Sequence, residues 1–252
     1  MSVAIVTGAS AGLGVEFVKK LRDIYPEIDE YWLIARRTDR LNTLKDLFSE
    51  KSITALGFDL TQESIYQELE AILKTKQPQV KLLINNAGFG KLCDFASAPY
   101  REQMLQCDLN VRAATVLTNL VLPYMGRGSA VINVCSIAAF VPTPNMAVYC
   151  STKAYIYSFS KALRYELKDR GIHVLAVCPG PMATEFLEVA HITGRSKTFA
   201  VLPYCKAETV AAKALKAAKR GRGIYTNKFL YKFYRVLAKG IPHEWLIHFT
   251  KT

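Results

Sequence analysis

The chain has 252 residues, with 33 Lys and Arg against 21 Asp and Glu, for a formal net charge of +12 at pH 7. Half of the residues are hydrophobic and 21% are charged, which excludes wholesale disorder and provides for a large core. No run of about 18 apolar residues occurs, and MSVAIVTGAS carries no basic segment ahead of an apolar one, so neither a membrane span nor a cleaved signal peptide is expected.

Short β-rich runs alternate with longer helical patterns. Strands are expected at VAIVT (3–7), EYWLIAR (30–36), SITALGF (52–58), VKLLIN (80–85), AVINVCS (130–136), IHVLAVC (172–178) and GIYTN (223–227). Most are near-continuous Val, Ile and Leu runs, the pattern of strands covered on both faces. Helical spacing falls between them at 12–24, 39–50, 62–76, 100–125, 149–169 and 207–220. This rhythm predicts an α/β fold, a single-domain doubly wound parallel sheet (Rossmann fold) of about seven strands with helices on both faces. Gly and Pro cluster only at single turns, so residues 1–252 read as one domain. Periodicity fades over 182–206, an irregular stretch after a strand that predicts a flexible substrate lid. Cys93, Cys107, Cys135, Cys150, Cys178 and Cys205 are scattered without a C-x-x-C pair. They predict reduced thiols, a cytoplasmic compartment and no metal site.

The first strand runs into TGASAGLG, in which Gly8, Ser10, Gly12, Leu13 and Gly14 lead into a helix. Glycines at such a turn let the backbone approach a pyrophosphate, and the helix N-terminus supplies N–H donors and a positive dipole end. The spacing is G-x-x-x-G-x-G. The second strand ends without an acid, in Leu33-Ile34-Ala35-Arg36-Arg37. Two guanidiniums suit a ribose 2′-phosphate, where a carboxylate would repel it, so NADP(H) is favoured over NAD(H). The alternative is that both arginines are solvated loop residues.

Four features stand in order: TGASAGLG (7–14), NNAG (85–88), Ser136 closing VINVCS, and Tyr149 four residues before Lys153 in YCSTK. In this order and spacing they closely resemble the short-chain dehydrogenase/reductase family, from the first strand to PGPMAT (179–184). The resemblance implies that Tyr149 is the general acid/base, that Lys153 lowers its pKa and holds the nicotinamide ribose, and that Ser136 orients the substrate oxygen. It further implies that Asn110 holds a water linking Lys153 to solvent. Asp59 and Leu60 would flank the adenine, Asn86, Ala87 and Gly88 would pass the adenosine ribose, and Pro179, Gly180 and Thr184 would line the nicotinamide side. Many NADP-dependent members carry a Lys or Arg just before the second glycine, where this chain has Ala11. The NADP(H) expectation therefore rests on Arg36 and Arg37.

Residues four apart on a helix project the same way, which brings the phenol and the ammonium together. A free phenol titrates near 10, and proton transfer near neutrality needs it pulled down by roughly two to three pH units. A cation within ~4–6 Å supplies much of that.

Phe89, Ile137, Phe140, Val141 and Pro142 are candidate substrate-facing residues, together with Met146, Pro181, Met182 and Phe186. Most are apolar, which suggests a lipophilic alcohol or ketone, although each also suits plain core packing. The resemblance leans toward hydroxysteroid dehydrogenases, including those acting on bile acids, with 3-oxoacyl reductases as neighbours. A non-catalytic, NADP(H)-sensing scaffold is the reading from another class. The family's pairing of equivalent helices implies a homodimer or homotetramer through Met104, Val111, Val116, Tyr157 and Leu163.

The positive charge is uneven, with eleven Lys and Arg and two Glu in residues 206–252. In NKFLYKFYRVLAKG (227–240), Lys228, Lys232, Arg235 and Lys239 form a basic stripe, and Phe229, Phe233, Val236 and Leu237 an apolar one. Two readings stand. Either the helix packs on the body with its charges in water, or it is interfacial, touching anionic membrane or shaping the substrate entrance. No nucleic-acid recognition module is evident.

Overall fold

The computed structural model describes residues 1–48, 50–192 and 201–248. Its strands are β1 (Ser2–Thr7), β2 (Glu30–Ile34), β3 (Ser52–Leu56), β4 (Gln79–Asn85), β5 (Met125–Val134), β6 (His173–Val177) and β7 (Ile224–Tyr225). They form one sheet in the order β3-β2-β1-β4-β5-β6-β7, every pair parallel. The seven strands and the doubly wound topology match the sequence expectation. The strand order reverses between β1 and β4, so the connections leaving their carboxyl ends diverge and open a crevice there.

Both faces of the sheet are covered, as the unbroken apolar runs require. Ala4 and Val6 of β1 face helices α1 (Gly12–Ile24) and α8 (Ala207–Lys219), packing with Phe17, Leu21, Val210 and Leu215. Val3 and Ile5 point the other way. They join Leu69 and Leu73 of α3 (Ser64–Lys76), Leu117 and Val121 of α5 (Ala113–Val121), and Leu163 of α6 (Ala147–Glu166). The period-two alternation of the strand divides its side chains between the two cores. Buried amides brace the second layer: Asn85 donates to Thr118 Oγ1 (2.9 Å) and Asn133 Oδ1 (2.8 Å), and Asn133 donates to Ser160 (2.9 Å).

Helix α2 (Thr38–Leu47) follows β2. The helix expected over 100–125 is interrupted. It consists of α4 (Tyr100–Cys107), a π-helical turn (Asp108–Arg112), α5 and a 3₁₀ turn (Leu122–Tyr124). Pro123 lies in the last turn, and Met125 is already in β5. A short helix α7 (Phe186–Val189) lies in the expected lid segment, of which residues 193–200 fall outside the described residues. Helices α9 (Phe229–Gly240) and α10 (His243–Ile247) end the fold. Among the described residues no helix is long and apolar enough to cross a membrane.

Four of the five residues expected to be available for subunit pairing are engaged or partly covered in this chain's own structure. Leu163 and Val116 belong to the second core, Tyr157 packs edge-on against Phe140 at 5.5 Å, and Val111 is half-buried. Met104 alone of the five is exposed.

An unfolded tyrosine titrates near 10, whereas burial pushes Tyr31, Tyr66, Tyr225 and Tyr234 up to about 12. The unfolded chain releases these protons first, so stability should fall as pH rises from about 10 toward 12. Urea midpoints at about pH 9 and about pH 11 should show it, the second being clearly lower. Equal midpoints would contradict this account.

Candidate active site

At the carboxyl end of β1 the chain turns through Gly8, whose φ of +64° suits glycine. Thr7 Oγ1 accepts the N–H groups of Asn86 and Ala87, both at 2.9 Å. The Asn86 amide donates back to the carbonyls of Thr7 (2.9 Å) and Gly8 (3.3 Å). A Cβ on Gly14 would collide with the Gly8 carbonyl, so the glycine allows α1 to start hard against the turn. No side chain caps α1 at Ala11 and its first turn carries no acid, which leaves N–H donors for an anion. A cleft of about 500 Å³ opens at this point, lined in part by Ser10, Gly12, Arg40, Thr184, Glu185 and Lys206. Thr184 lies over Gly12, its Cβ 3.3 Å from where a side chain there would begin. These residues fit the phosphates of a dinucleotide.

The two candidate arginines separate. Arg36 is exposed, whereas Arg37 reaches Ser10 Oγ (3.4 Å) and pairs with Glu185 (2.9 Å). Arg40, which sequence reasoning missed, takes the other oxygen of the same carboxylate at 2.5 Å. Hydrogen bonds from Arg40 and Arg37 hold the Glu185 carboxyl below its usual range. Glu185 has no signal in the sequence, because it lies 148 residues from Arg37. Asp59 accepts from the N–H and hydroxyl of Thr61, at 3.0 and 2.7 Å. Leu60 is a core side chain packed with Phe58 and Tyr66. What it can offer an adenine is backbone.

Tyr149 and Lys153 stand one turn apart on α6, with the Lys153 Nζ 5.8 Å from the Tyr149 ring centre. Ser136 Oγ accepts the Ala138 N–H at 3.1 Å, which leaves its own O–H for the hydrogen bond it makes to Tyr149. Asn110 sits in the π turn and clamps the backbone of Phe89 from both sides, accepting from its N–H (3.0 Å) and donating to its carbonyl (2.8 Å). It also donates to Thr152 (3.0 Å). A Cβ on Gly88 would lie 2.8 Å from Asn110 Oδ1 and 3.3 Å from Lys153 Nζ, and one on Gly90 2.6 Å from the Tyr149 ring. The segment after β4 thus threads between the catalytic candidates only because these positions lack side chains.

The expected lowering of the phenol does not come from the folded chain alone. Burial pushes Tyr149 well above its ordinary value, and the Ser136 hydrogen bond opposes this only in part. Lys153 is itself pulled down by burial, and its ammonium donates to the Val134 carbonyl at 2.9 Å. Its charge is spent partly on the backbone, so a lower phenol pKa requires further positive charge beside the ring.

Of the apolar candidates, Met146 and Phe186 gather on Tyr149, with the Phe186 ring 5.6 Å away. Leu92, Ala138, Leu187, Ala190 and Ile192 belong to the same cluster and were missed. Phe140 and Val141 are core residues on the other side, packed with Tyr157, Ile156 and Tyr234. Ile137 bridges two core clusters and Pro142 is exposed. The half-buried Phe89 contributes its clamped backbone. Met182 pairs with Cys205 and packs on the α1 and α8 side, and Pro181 accepts the Cys205 N–H at 2.7 Å. The Pro179 carbonyl accepts from Ile137 (3.0 Å), and Tyr231 of α9 fills the place of a Gly180 side chain. Gly180 is thus required by the C-terminal helix.

A phosphate-accepting turn and a phenol–ammonium pair, open at the same end of one parallel sheet, define the class: a dinucleotide-dependent oxidoreductase of the Rossmann type. The chain belongs to the short-chain dehydrogenase family, whose model matches residues 2–193, and the family works with a nicotinamide cofactor. Hydroxysteroid dehydrogenase-like protein 1 of Gallus gallus is 27% identical over 252 residues, covering 96% of this chain and 72% of that protein. Very-long-chain 3-oxoacyl-CoA reductase of Bos taurus is 30% identical over 199 residues, 75% of this chain and 62% of that enzyme. This chain therefore spans less than two-thirds of the bovine relative. A solved short-chain dehydrogenase from Sphingobium yanoikuyae in complex with NADPH superposes with a TM-score of 0.79 at 25% identity, covering 96% of this chain and 97% of that one.

Because burial raises the Tyr149 phenol, opening its cover should lower it. Phe186→Ala admits water beside the ring, so the pH dependence of alcohol oxidation should move to lower pH, by roughly half a unit or more. A profile that stays in place would show that Phe186 does not set the phenol's surroundings.

Proposed function

We propose that the protein is an NADP(H)-dependent enzyme that interconverts a secondary alcohol and a ketone on a lipophilic substrate, of the steroid or bile-acid kind. The observation that carries this reading is the Ser136–Tyr149 hydrogen bond under an apolar cover, with the Lys153 ammonium one helical turn away. In reduction, the Tyr149 O–H gives its proton to the carbonyl oxygen, and the Ser136 hydroxyl holds the same oxygen by a hydrogen bond. Lys153 offsets the phenolate charge that this leaves. Bound nicotinamide supplies or accepts the hydride. In oxidation the proton returns to Tyr149. Gly8, Gly12 and the start of α1 would hold the pyrophosphate, and Lys153 the nicotinamide ribose.

Similarity to hydroxysteroid dehydrogenase-like protein 1 of Gallus gallus supports the hydroxysteroid class, and similarity to the very-long-chain 3-oxoacyl-CoA reductase of Bos taurus a second reading, reduction of a long-chain 3-oxoacyl group. Both substrates suit the apolar cover of Tyr149. A panel of steroid, bile-acid and 3-oxoacyl ketones, followed by NADPH and NADH absorbance, separates them. Tyr149→Phe keeps the ring but removes the proton donor, so turnover should fall roughly 10²–10⁴-fold while cofactor binding holds. Retention of a tenth or more of the rate would place the acid/base elsewhere. A wild-type protein that binds NADPH but turns over no ketone would favour the sensing scaffold.

NADP(H) preference is supported by the pair of guanidiniums on Glu185. An exposed carboxylate bridge is weak, and a phosphate dianion accepting charge-assisted bonds from Arg37 and Arg40 displaces it at small cost. Arg37→Ser with Arg40→Ser should weaken NADP(H) binding on the order of 10²-fold or more, from two bonds of about 1.5–3 kcal/mol each, and leave NAD(H) nearly unchanged. Glu185→Gln should tighten NADP(H) binding. Titration calorimetry with both cofactors decides it, and equal losses for the two would exclude phosphate recognition by these arginines.

A further inference from the structure

Helix α9 lies against the body with a face of tyrosine and alanine, and not with its phenylalanine stripe. Its inner side is Tyr231, Tyr234 and Ala238. Tyr231 is buried, donates to the Pro203 carbonyl at 2.9 Å and fills the space beside Gly180, while Tyr234 packs 6.2 Å from Phe140. The apolar stripe points outward. Phe229 is 82% exposed, Phe233 52% and Val236 61%. At about 100° per residue these three fall within about 60° of arc. Lys228, Lys232 and Lys239 fall within about 40° directly beside them, all exposed. Residues 229–240 hold no acid. The next short helix adds Trp245, 70% exposed.

We infer that α9 is an interfacial helix that docks on an anionic lipid surface, its phenylalanine stripe among the acyl chains and its lysine row against the headgroups. A helix that lies in the plane of a bilayer has this arrangement, an apolar arc flanked by cations, and tryptophan favours the same boundary. The charge chooses between occupants. A second copy of this chain would bring a second lysine row and no carboxylate from its α9, whereas anionic headgroups neutralise the row. The residues where subunit pairing is expected, Met104 the exposed one among them, lie on other elements than α9 and α10. The inference rests on α9 and α10 alone and stands whatever substrate the catalytic site takes.

The chain contains its own reporter. It has two tryptophans, and Trp32 is 0% exposed, so a vesicle-dependent change in emission belongs to Trp245. With the full chain and phosphatidylcholine vesicles containing phosphatidylserine, Trp245 emission should shift to the blue and be quenched by brominated acyl chains. Binding should be at least tenfold weaker to phosphatidylcholine alone, and weaker again at about 1 M salt, where the Debye length is about 3 Å. Phe229→Ser with Phe233→Ser should reduce vesicle binding at least tenfold with NADPH affinity unchanged. Lys228→Glu with Lys232→Glu should remove the preference for phosphatidylserine. Wild-type emission that ignores anionic vesicles overturns the proposal, as does binding that survives both double substitutions. A dimer that Phe233→Ser dissociates, formed by a protein that ignores vesicles, would assign the stripe to a second copy.

Discussion

The hydroxyl of Thr7 holds the two halves of the site together. It accepts the N–H groups of Asn86 and Ala87 and donates to the Ile84 carbonyl, so the ends of β1 and β4 are clipped where the strand order reverses. From that clip the chain runs as a rail. Asn86 bonds the glycine turn, Gly88 passes Asn110 and Lys153, Phe89 is clamped by Asn110, and Gly90 lies on the Tyr149 ring. The glycine turn and the Tyr149–Lys153 pair are therefore registered to one another by five residues of backbone, 86–90, and each step along them is fixed by a hydrogen bond or a contact that only glycine permits.

Tyr149 and Lys153 are both buried, and burial drives both toward their neutral forms, the phenol upward and the ammonium downward. Protein groups offset this only modestly, with one Ser136 hydroxyl on the phenol and one Val134 carbonyl on the ammonium. A pair in this balance responds strongly to any charge placed beside it, since little solvent remains to screen the effect. The same desolvation that suppresses ionisation in the folded chain makes ionisation sensitive to a bound cation.

The parts of the fold set by local pattern were legible in the sequence: the seven strands, the glycine turn and the Tyr–Lys pair on α6. Those set by distant partners were not. The sequence pairs Arg37 with Arg36 and gives no sign of Arg40, because it is Glu185, from far along the chain, that brings Arg37 and Arg40 together, and the burial of Phe140 and Val141 depends on Tyr157 and Tyr234 arriving from two later helices. Helix α9 shows the limit most clearly. Its sequence offers two faces able to cover the body, one phenylalanine-rich and one of tyrosine and alanine. The choice falls to the second because Tyr231 meets a glycine at 180 and donates to the carbonyl of Pro203. Hydrophobicity alone selects the wrong side.

The π turn at Asp108–Arg112 holds one residue more than an α-helical turn of the same span, so it works as a phase shifter. Helix α4 before it and α5 after it are out of step by about 100°, the angle of a single residue. That offset lets α4 present Met104 and Leu105 to the outside while α5 keeps Ala113, Leu117 and Val121 in the core. Deleting one residue from the turn would leave a regular α-helix, yet no rotation of it satisfies both ends. Length in this stretch is thus a tighter constraint than composition: substitutions here are absorbed one side chain at a time, whereas a shift in count turns Asn110 away from Phe89 and the whole outer face with it.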